Sequence, residues 1–198
     1  MPSRRLIATL AIAATFGVAA CAPTISPIDF TNGAQSQTSD VANWALADII
    51  VEVPEDMKVE TDGSNRYPDP SLLVWYGDPP GDRKVQVATL LADAVVAGAV
   101  DALTGTRPVV FKLYVDQFHA MTPAARATNI QLGVHELRFD FEVVDAATGE
   151  VLAREDDVNA DFRAFSGTQA LLAERNGQDQ KIRIQTRVSQ VIREWLTS

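Results

Sequence analysis

Cysteine and histidine are scarce in this sequence. Its 198 residues include one cysteine and two histidines. These numbers exclude an intramolecular disulfide and the common structural zinc sites. Basic residues are also outnumbered, 17 against 26 acidic residues, which gives a formal net charge of −9. That charge argues against unaided binding to nucleic acid or to an anionic membrane face. The apolar fraction of 46% is that of a globular chain, and the length suits one domain with an appended segment.

Recognisable catalytic and cofactor motifs are missing from the sequence as well. It contains no Gly-x-Ser-x-Gly elbow, no Walker phosphate loop and no dinucleotide fingerprint. The calcium-loop pattern is also missing. The sequence therefore predicts a protein that is not an enzyme and that binds no cofactor or metal.

The N-terminus is typical of a bacterial export signal. Arg4 and Arg5 precede an apolar run, Leu6–Ala20, whose 15 residues fall short of the roughly 20 needed to span a bilayer. The junction Val-Ala-Ala-Cys21 resembles the lipobox of bacterial lipoproteins. The resemblance implies cleavage after Ala20, a diacylglycerol thioether on Cys21, and a fatty acid such as palmitate on the new N-terminus. Ala22 follows instead of Asp, which in enterobacterial lipoproteins implies the outer membrane. An ordinary secretory signal with an incidental cysteine is the alternative.

Three segments follow from this assignment. Residues 1–20 are the predicted lipoprotein signal peptide, residues 21–40 the lipidated cysteine and a flexible tether, and residues 41–198 a single globular domain. The tether is rich in Pro, Thr, Ser, Asn, Gln and Gly, and a flexible chain of this length has an end-to-end distance of roughly 25 Å. The alternative is that Ile28 and Phe30 dock part of the tether on the domain.

The domain has the periodicities of both strands and helices. His135–Asp145 alternates most cleanly, with Leu137 among the apolar positions and Glu136 among the polar ones. Such a strand has one buried and one hydrated face, as in an antiparallel sheet. Predicted strands are Leu46–Val53, Leu72–Tyr76, Arg107–Phe118, His135–Asp145 and Val151–Ala164. Predicted helices are Arg83–Leu103 with Asp82 as N-cap, Thr168–Glu174 and Asp179–Leu196. This order predicts an α+β two-layer domain, a mainly antiparallel sheet with helices packed on one face.

Two sets of polar side chains are candidates for chemistry. His119 ends one predicted strand and His135 begins the next, so pairing of the strands would bring the imidazoles together, with Asp116 or Glu136 as a third partner. The alternative is that both histidines are simply polar residues at strand ends, without a chemical role. Acidic side chains are also dense in the strand region, and paired carboxylates can hydrolyse glycosides. A solvated sheet face explains them more simply.

Five residues are candidates for contact with a partner. Tyr67, Trp75 and Tyr76 surround a proline-rich connector, and exposed aromatics beside rigid turns suit protein contact. If buried, they would instead close one end of the core. Arg183 and Arg187 lie in a basic stretch of the last helix, which suits phosphate head groups or an acidic partner. The alternative for these arginines is a solvated helix face with local ion pairs.

Two longer stretches carry a family resemblance. Val-Trp-Tyr-Gly-Asp-Pro-Pro-Gly-Asp-Arg ends at Arg83, and Arg-Pro-Val-Val-Phe begins a segment that runs from Arg107 to Leu152. Together they resemble a family of uncharacterised alphaproteobacterial lipoproteins. The resemblance implies no known activity and no functional residue beyond Cys21.

The sequence thus predicts a membrane-anchored envelope lipoprotein. The lipid on Cys21 would hold it in the inner leaflet of the outer membrane, with the domain facing the periplasm. There it would serve as a non-enzymatic accessory or scaffold for an envelope protein complex. The alternatives are a periplasmic carrier of a lipid or small ligand, with the small-residue face of the Arg83 helix bordering the cavity, and a carboxylate-based hydrolase.

Overall fold

A computed structural model describes residues 41–129 and 133–198. The predicted signal peptide, Cys21 and the tether lie outside these described residues. None of the helices within them is long and apolar enough to cross a membrane.

The domain is built on one five-stranded mixed sheet. The strands are β1 Trp44–Glu52, β2 Arg107–His119, β3 Val134–Asp145, β4 Val151–Asn159 and β5 Phe162–Arg163. The helices are α1 Arg83–Ala99, α2 Pro123–Arg126, α3 Gly167–Arg175 and α4 Gln180–Leu196. The spatial order is β1-β2-β3-β4, and β5 extends the pairing of β3. β1 is parallel to β2, and the other pairs are antiparallel. The predicted α+β fold is confirmed.

Alternation along β2 and β3 separates the two faces of the sheet. Val109, Phe111, Leu113 and Val115 of β2, and Leu137, Phe139, Phe141 and Val143 of β3, all lie buried. Phe111 stacks on Phe141 with 6.1 Å between ring centroids. The polar residues between them leave the opposite face partly open to water. The predicted hydrated sheet face is therefore present.

Helix α1 begins as predicted and ends earlier. The carboxylate of Asp82 accepts the backbone N–H groups of Lys84 and Val85, as an N-cap does. The helix stops at Ala99, four residues before the predicted Leu103, because the chain turns there. That turn buries Leu103 and brings Thr104 beside Ala45 of β1.

The small residues of α1 allow close packing against α4. A Cβ atom on Gly98 would lie 2.6 Å from the carbonyl oxygen of Ser189 and 3.1 Å from Cβ of Ile192. Ile184, Val188, Ile192 and Leu196 of α4 are buried in the same core as α1. The space expected to border a lipid cavity is therefore taken up by helix–helix contact at this point.

Two predicted strands differ in detail. Leu72–Tyr76 forms no strand but a buried extended segment, in which Leu73 and Val74 make single bridges to Val59 and His119. The predicted strand Val151–Ala164 divides into β4 and β5, because the chain bends at the buried Ala160. The hairpin between β3 and β4 turns through Gly149, whose φ is +74°.

Candidate functional site

A groove opens where β2 and β3 separate. The two strands pair as far as His119 and Glu136, beyond which the chain leaves β2 for α2. The loop of residues 66–70 closes one side of a cavity of about 330 Å³. This volume lies at the lower end of the range of small-ligand pockets, roughly 300–1,000 Å³. We name the cavity the Tyr67 groove. Its apolar lining includes Tyr67, Pro68, Pro70, Met121 and Val134, and its polar lining Arg66, His119, Thr128 and Glu136.

Tyr67 stands at this groove as an exposed side chain on a well-anchored loop. Its side chain is 82% exposed. Its backbone N–H donates to Oδ1 of Asn65 at 3.0 Å, and the buried hydroxyl of Thr122 donates to the carbonyl oxygen of Asn65 at 2.6 Å. A further bond, 3.0 Å long, runs from the N–H of Ala124 to the carbonyl of Gly63. The loop is thus fixed to α2, and the aromatic ring is presented to solvent with little ordering left to be done on binding.

His119 and Glu136 are direct partners across the two strands and line the same groove. The carboxylate of Glu136 accepts a hydrogen bond of 3.2 Å from the amide of Gln117. The Nδ1 atom of His119 is buried and has no hydrogen-bond partner within residues 41–129 and 133–198. This pair therefore gives the lining of the groove an imidazole and a carboxylate.

His135 does not join His119 in the groove. It lies on the opposite face of β3 from Glu136, only 1% exposed, with its ring 4.8 Å from that of Phe162. Burial lowers the pKa of His135 to about 3, and the charges of Arg183, Arg126 and His119 act in the same direction. The expected pair of neighbouring imidazoles in one site is therefore not formed, because adjacent residues of a strand point to opposite faces.

Trp75, a predicted contact residue, is instead part of the core. It has no exposed area and packs edge-on against Phe118 at 5.7 Å. Its Nε1–H donates to the carboxylate of Asp78 at 2.9 Å, and Lys181 donates to the same carboxylate at 2.6 Å. The indole can be buried here because Asp78 satisfies its one polar atom.

Tyr76 is half-buried beside the same segment. Its hydroxyl donates to the carbonyl oxygen of Glu60 at 3.3 Å, and the guanidinium of Arg83 lies 5.3 Å from its ring centroid. Burial raises the pKa of its phenol. Tyr67 is thus the aromatic residue among the three that is free to contact a partner.

Arg183 is held within the fold. Its guanidinium lies over the rings of Phe165 and Phe162, at 3.4 and 5.1 Å, and donates to the carbonyl oxygen of Arg163 at 2.6 Å. Burial lowers the pKa of this guanidinium. Arg187 is half-buried, and its Nε has no partner within the described part of the chain. Arg183 is therefore a stacking residue, and it offers little of its charge to a partner.

The acidic side chains of the strands lie mostly on the open sheet face. Arg154 pairs with Glu142 and Asp156, and Arg138 with Asp161. Burial raises the pKa of Asp116, and the nearby Asp140, Asp157 and Asp156 raise it further. Asp116 also lines a second, more open depression of about 400 Å³ together with Asp56 and Lys58. In the described ranges no three Asp, Glu, His or Cys residues are grouped to hold a metal ion.

The sequence did not predict the groove, although it singled out three of its lining residues, Tyr67, His119 and Glu136. Arg66, Pro68 and Pro70 belong to a stretch that reads as a polar connector, and Met121 follows the end of a strand. Only pairing of the chain across 50 residues, as between Asn65 and Thr122, brings them together. The local signal that was available is the Arg-Tyr-Pro run itself.

Comparison with known proteins places the chain in a family. Residues 44–198 match the model of a family of unknown function, DUF6778. The chain belongs to DUF6778. This membership confirms the predicted resemblance to a family whose activity is unknown, and it covers nearly all of the described fold. The alphaproteobacterial lineage and the lipidation of Cys21 stay predictions.

Several solved structures are similar to this DUF6778 protein at low identity. Protein XCC0632 of Xanthomonas campestris, described as DUF330, is 14% identical over 78% of this chain and 82% of its own, with a TM-score of 0.45. A candidate lipoprotein of Caulobacter crescentus CB15 is 17% identical over 56% and 83%, with a TM-score of 0.29. PelC of Paraburkholderia phytofirmans, solved as a dodecamer, is 14% identical over 79% and 90%, with a TM-score of 0.33. No curated protein sequence matches this chain.

Proposed function

We propose that this protein is a bacterial envelope lipoprotein with a non-enzymatic accessory domain. The basic start, the apolar run Leu6–Ala20 and the Val-Ala-Ala-Cys21 junction support the anchor. One buried acyl chain gives only marginal membrane binding, whereas several chains make it effectively permanent. Ala22 after the cysteine favours the inner leaflet of the outer membrane, with the domain in the periplasm.

The exposure of Tyr67 is the observation that carries the accessory role. A tyrosine that is 82% exposed on a loop bonded to α2 is pre-organised for contact. Interface hot spots are enriched in such aromatic side chains, and adjacent pockets receive the partner's own anchors. The Tyr67 groove supplies that pocket. We therefore assign the Tyr67 groove as the docking site for an envelope protein.

The experiment is site-specific photo-cross-linking in living cells, with the reactive side chain at Pro70 of the lipidated chain. We expect a discrete protein adduct at this position. The matched control is the same side chain at Ala147, an exposed residue in the turn at the far end of β3, which should give none. Tyr67→Ala should reduce the Pro70 adduct severalfold without changing the amount of protein.

The anchor is tested in the same cells. Cys21→Ser should abolish incorporation of a labelled fatty acid and release the domain from the membrane fraction. Equal adducts at Pro70 and Ala147, or an adduct indifferent to Tyr67→Ala, would contradict the docking site. Continued fatty-acid labelling of the Cys21→Ser chain would contradict the anchor.

A carrier of a small amphipathic ligand is the second candidate, and the volume and lining of the groove favour it. Tyr67, Met121 and two prolines give apolar walls, while His119 and Glu136 offer polar contacts. Native mass spectrometry of the purified protein separates the two candidates. A small molecule that co-purifies with the protein and is lost in Tyr67→Ala would favour the carrier.

A further inference from the structure

Positive charge is concentrated at the C-terminal end of this acidic chain. Residues 163–198 contain six Lys or Arg and three Asp or Glu, whereas the whole chain contains 17 and 26. Such asymmetry between parts of a chain is typical of proteins that contact an anionic surface. The segment comprises the end of β5, all of α3 and all of α4.

Helix α3 in this segment is packed with its large side chains outward. Its buried residue is Ala170, at 5%, whereas Leu171 and Leu172 are 58% and 53% exposed. A helix on a globular domain normally turns its large aliphatic residues to the core. Two adjacent exposed leucines therefore mark this helix as a surface for contact.

Free cations accompany these leucines. Arg175 follows Leu171 by four positions and Leu172 by three, so it lies on the same side of the helix. Glu174, the acidic residue of α3, is paired with Arg126 of α2. Arg163 and Arg175 are both exposed, and neither guanidinium has an ion-pair partner among the residues that the structure describes. We name Leu171, Leu172 and Arg175 the α3 patch; Arg163, in the strand that precedes α3, is the second such cation of this segment.

We infer that the α3 patch docks on an anionic lipid surface. The leucines would enter the boundary between head groups and acyl chains, and the arginines would lie among the phosphates. Charge complementarity selects this occupant, because a patch that joins an unpaired arginine to two exposed leucines, in a segment of this acidic chain where basic residues outnumber acidic ones, matches a negatively charged apolar interface. Because the rest of the domain is acidic, the contact is weak for a free protein. It becomes effective when the chain is already held at a membrane.

The inference rests on the proposed lipid anchor for that local concentration. The 19 residues between Cys21 and Val41 reach at most about 65 Å when extended. The long strand β2, with 13 residues, spans only about 43 Å. The tether is therefore long enough for any face of the domain to meet the membrane.

A fluorescent reporter on the lipidated full-length protein tests the docking. Cys21 is the single cysteine and its sulfur is blocked by lipid, so Leu172→Cys gives a unique site for an environment-sensitive dye. The protein is reconstituted in phosphatidylcholine vesicles with or without phosphatidylglycerol. We expect a blue shift and quenching by a spin-labelled lipid when phosphatidylglycerol is present. Neither change should occur with the dye at Ala147→Cys.

Charge variants decide what the reporter detects. Arg163→Glu with Arg175→Glu should abolish the shift, whereas Lys58→Glu with Lys112→Glu, which alters net charge equally on other surfaces, should preserve it. Equal blue shift and quenching of the dye at positions 172 and 147 would overturn the inference. Loss of the shift in both double variants would overturn it as well. If the chain does not stay on the vesicles, the anchor has failed instead. The same reporters are then read on a chain held by an N-terminal histidine tag on nickel-chelating lipid.

Discussion

His135 lies in the core with neither ring nitrogen bonded to any residue the structure describes. Its pKa falls from 6.5 to about 3, first by burial and then by the charges of Arg183, Arg126 and His119. The unfolded chain therefore takes up a proton near pH 6.5 that the folded chain refuses until about pH 3. The contribution of His135 to the free energy of unfolding is therefore fully present above pH 6.5 and is lost as the pH falls from 6.5 to about 3.

His135→Leu should remove this part of the acid sensitivity. The wild-type free energy of unfolding should fall between pH 6.5 and 3 by about 1.4 kcal/mol per pH unit more than that of the variant. Near pH 7 the two should differ little, because the replaced imidazole makes no hydrogen bond in the described fold. Urea unfolding across this pH range measures both quantities. Ile184→Val, a buried control, should lower stability by about 1 kcal/mol at every pH, and parallel curves for wild type and His135→Leu would contradict the assignment.

Single residues were predictable where their role is local. The N-cap Asp82 acts within a few positions, and the structure has it as expected. The last helix begins one residue after the predicted Asp179, which caps it instead. The burial of Trp75 was not predictable, because it depends on Asp78, which also binds the distant Lys181. The position of Arg183 was not predictable either, because it depends on the ring of Phe165 and the carbonyl oxygen of Arg163. The exposure of Leu171 and Leu172 could not be predicted either, because it also depends on tertiary contacts.

At the scale of elements, the contact between α1 and α4 depends on Gly98. Gly98→Ala should gain up to about 1 kcal/mol of helix propensity, yet we expect a net loss of about 1–2 kcal/mol. The added methyl would meet the backbone oxygen of Ser189 at 2.6 Å, and overpacking of this kind costs about 1–3 kcal/mol. Thermal unfolding measures the result.

The matched control for this helix is Ala97→Gly, at the exposed neighbouring position. It should lose about 1 kcal/mol through propensity alone. A stabilised Gly98→Ala protein would show that the helices can separate without cost and would contradict the tight packing.

Elements with strong periodicity were predictable from sequence, and their partners were not. The alternation of β2 and β3 indicates strands whatever the topology, and both occur. The parallel neighbour of β2, however, is β1, which lies more than 50 residues earlier in the chain. The prediction of a strand at Leu72–Tyr76 was wrong, because an apolar run of five residues is also typical of a buried connector.

At the scale of the whole molecule, one core joins nearly every element. Its buried cluster draws on β1, α1, β2, β3, β4 and α4. We expect a single cooperative unfolding transition for residues 41–198. Near-ultraviolet circular dichroism, which reports Trp44 and Trp75, should coincide with the far-ultraviolet signal during thermal denaturation. Loss of one signal several degrees before the other would contradict a shared core.

The parallel pairing of β1 with β2 also bears on the order in which the chain can fold. Trp44 pairs with Arg107, 63 positions later, and α1 packs on α4, the last helix. The first strand therefore waits for residues in the middle of the chain, and the face of α1 that meets α4 waits for the C-terminal helix. Closing such long loops is slow. The contact between α1 and α4 can form only after residues 180–196 have been made, and until then the apolar face of α1 is open to other unfolded chains.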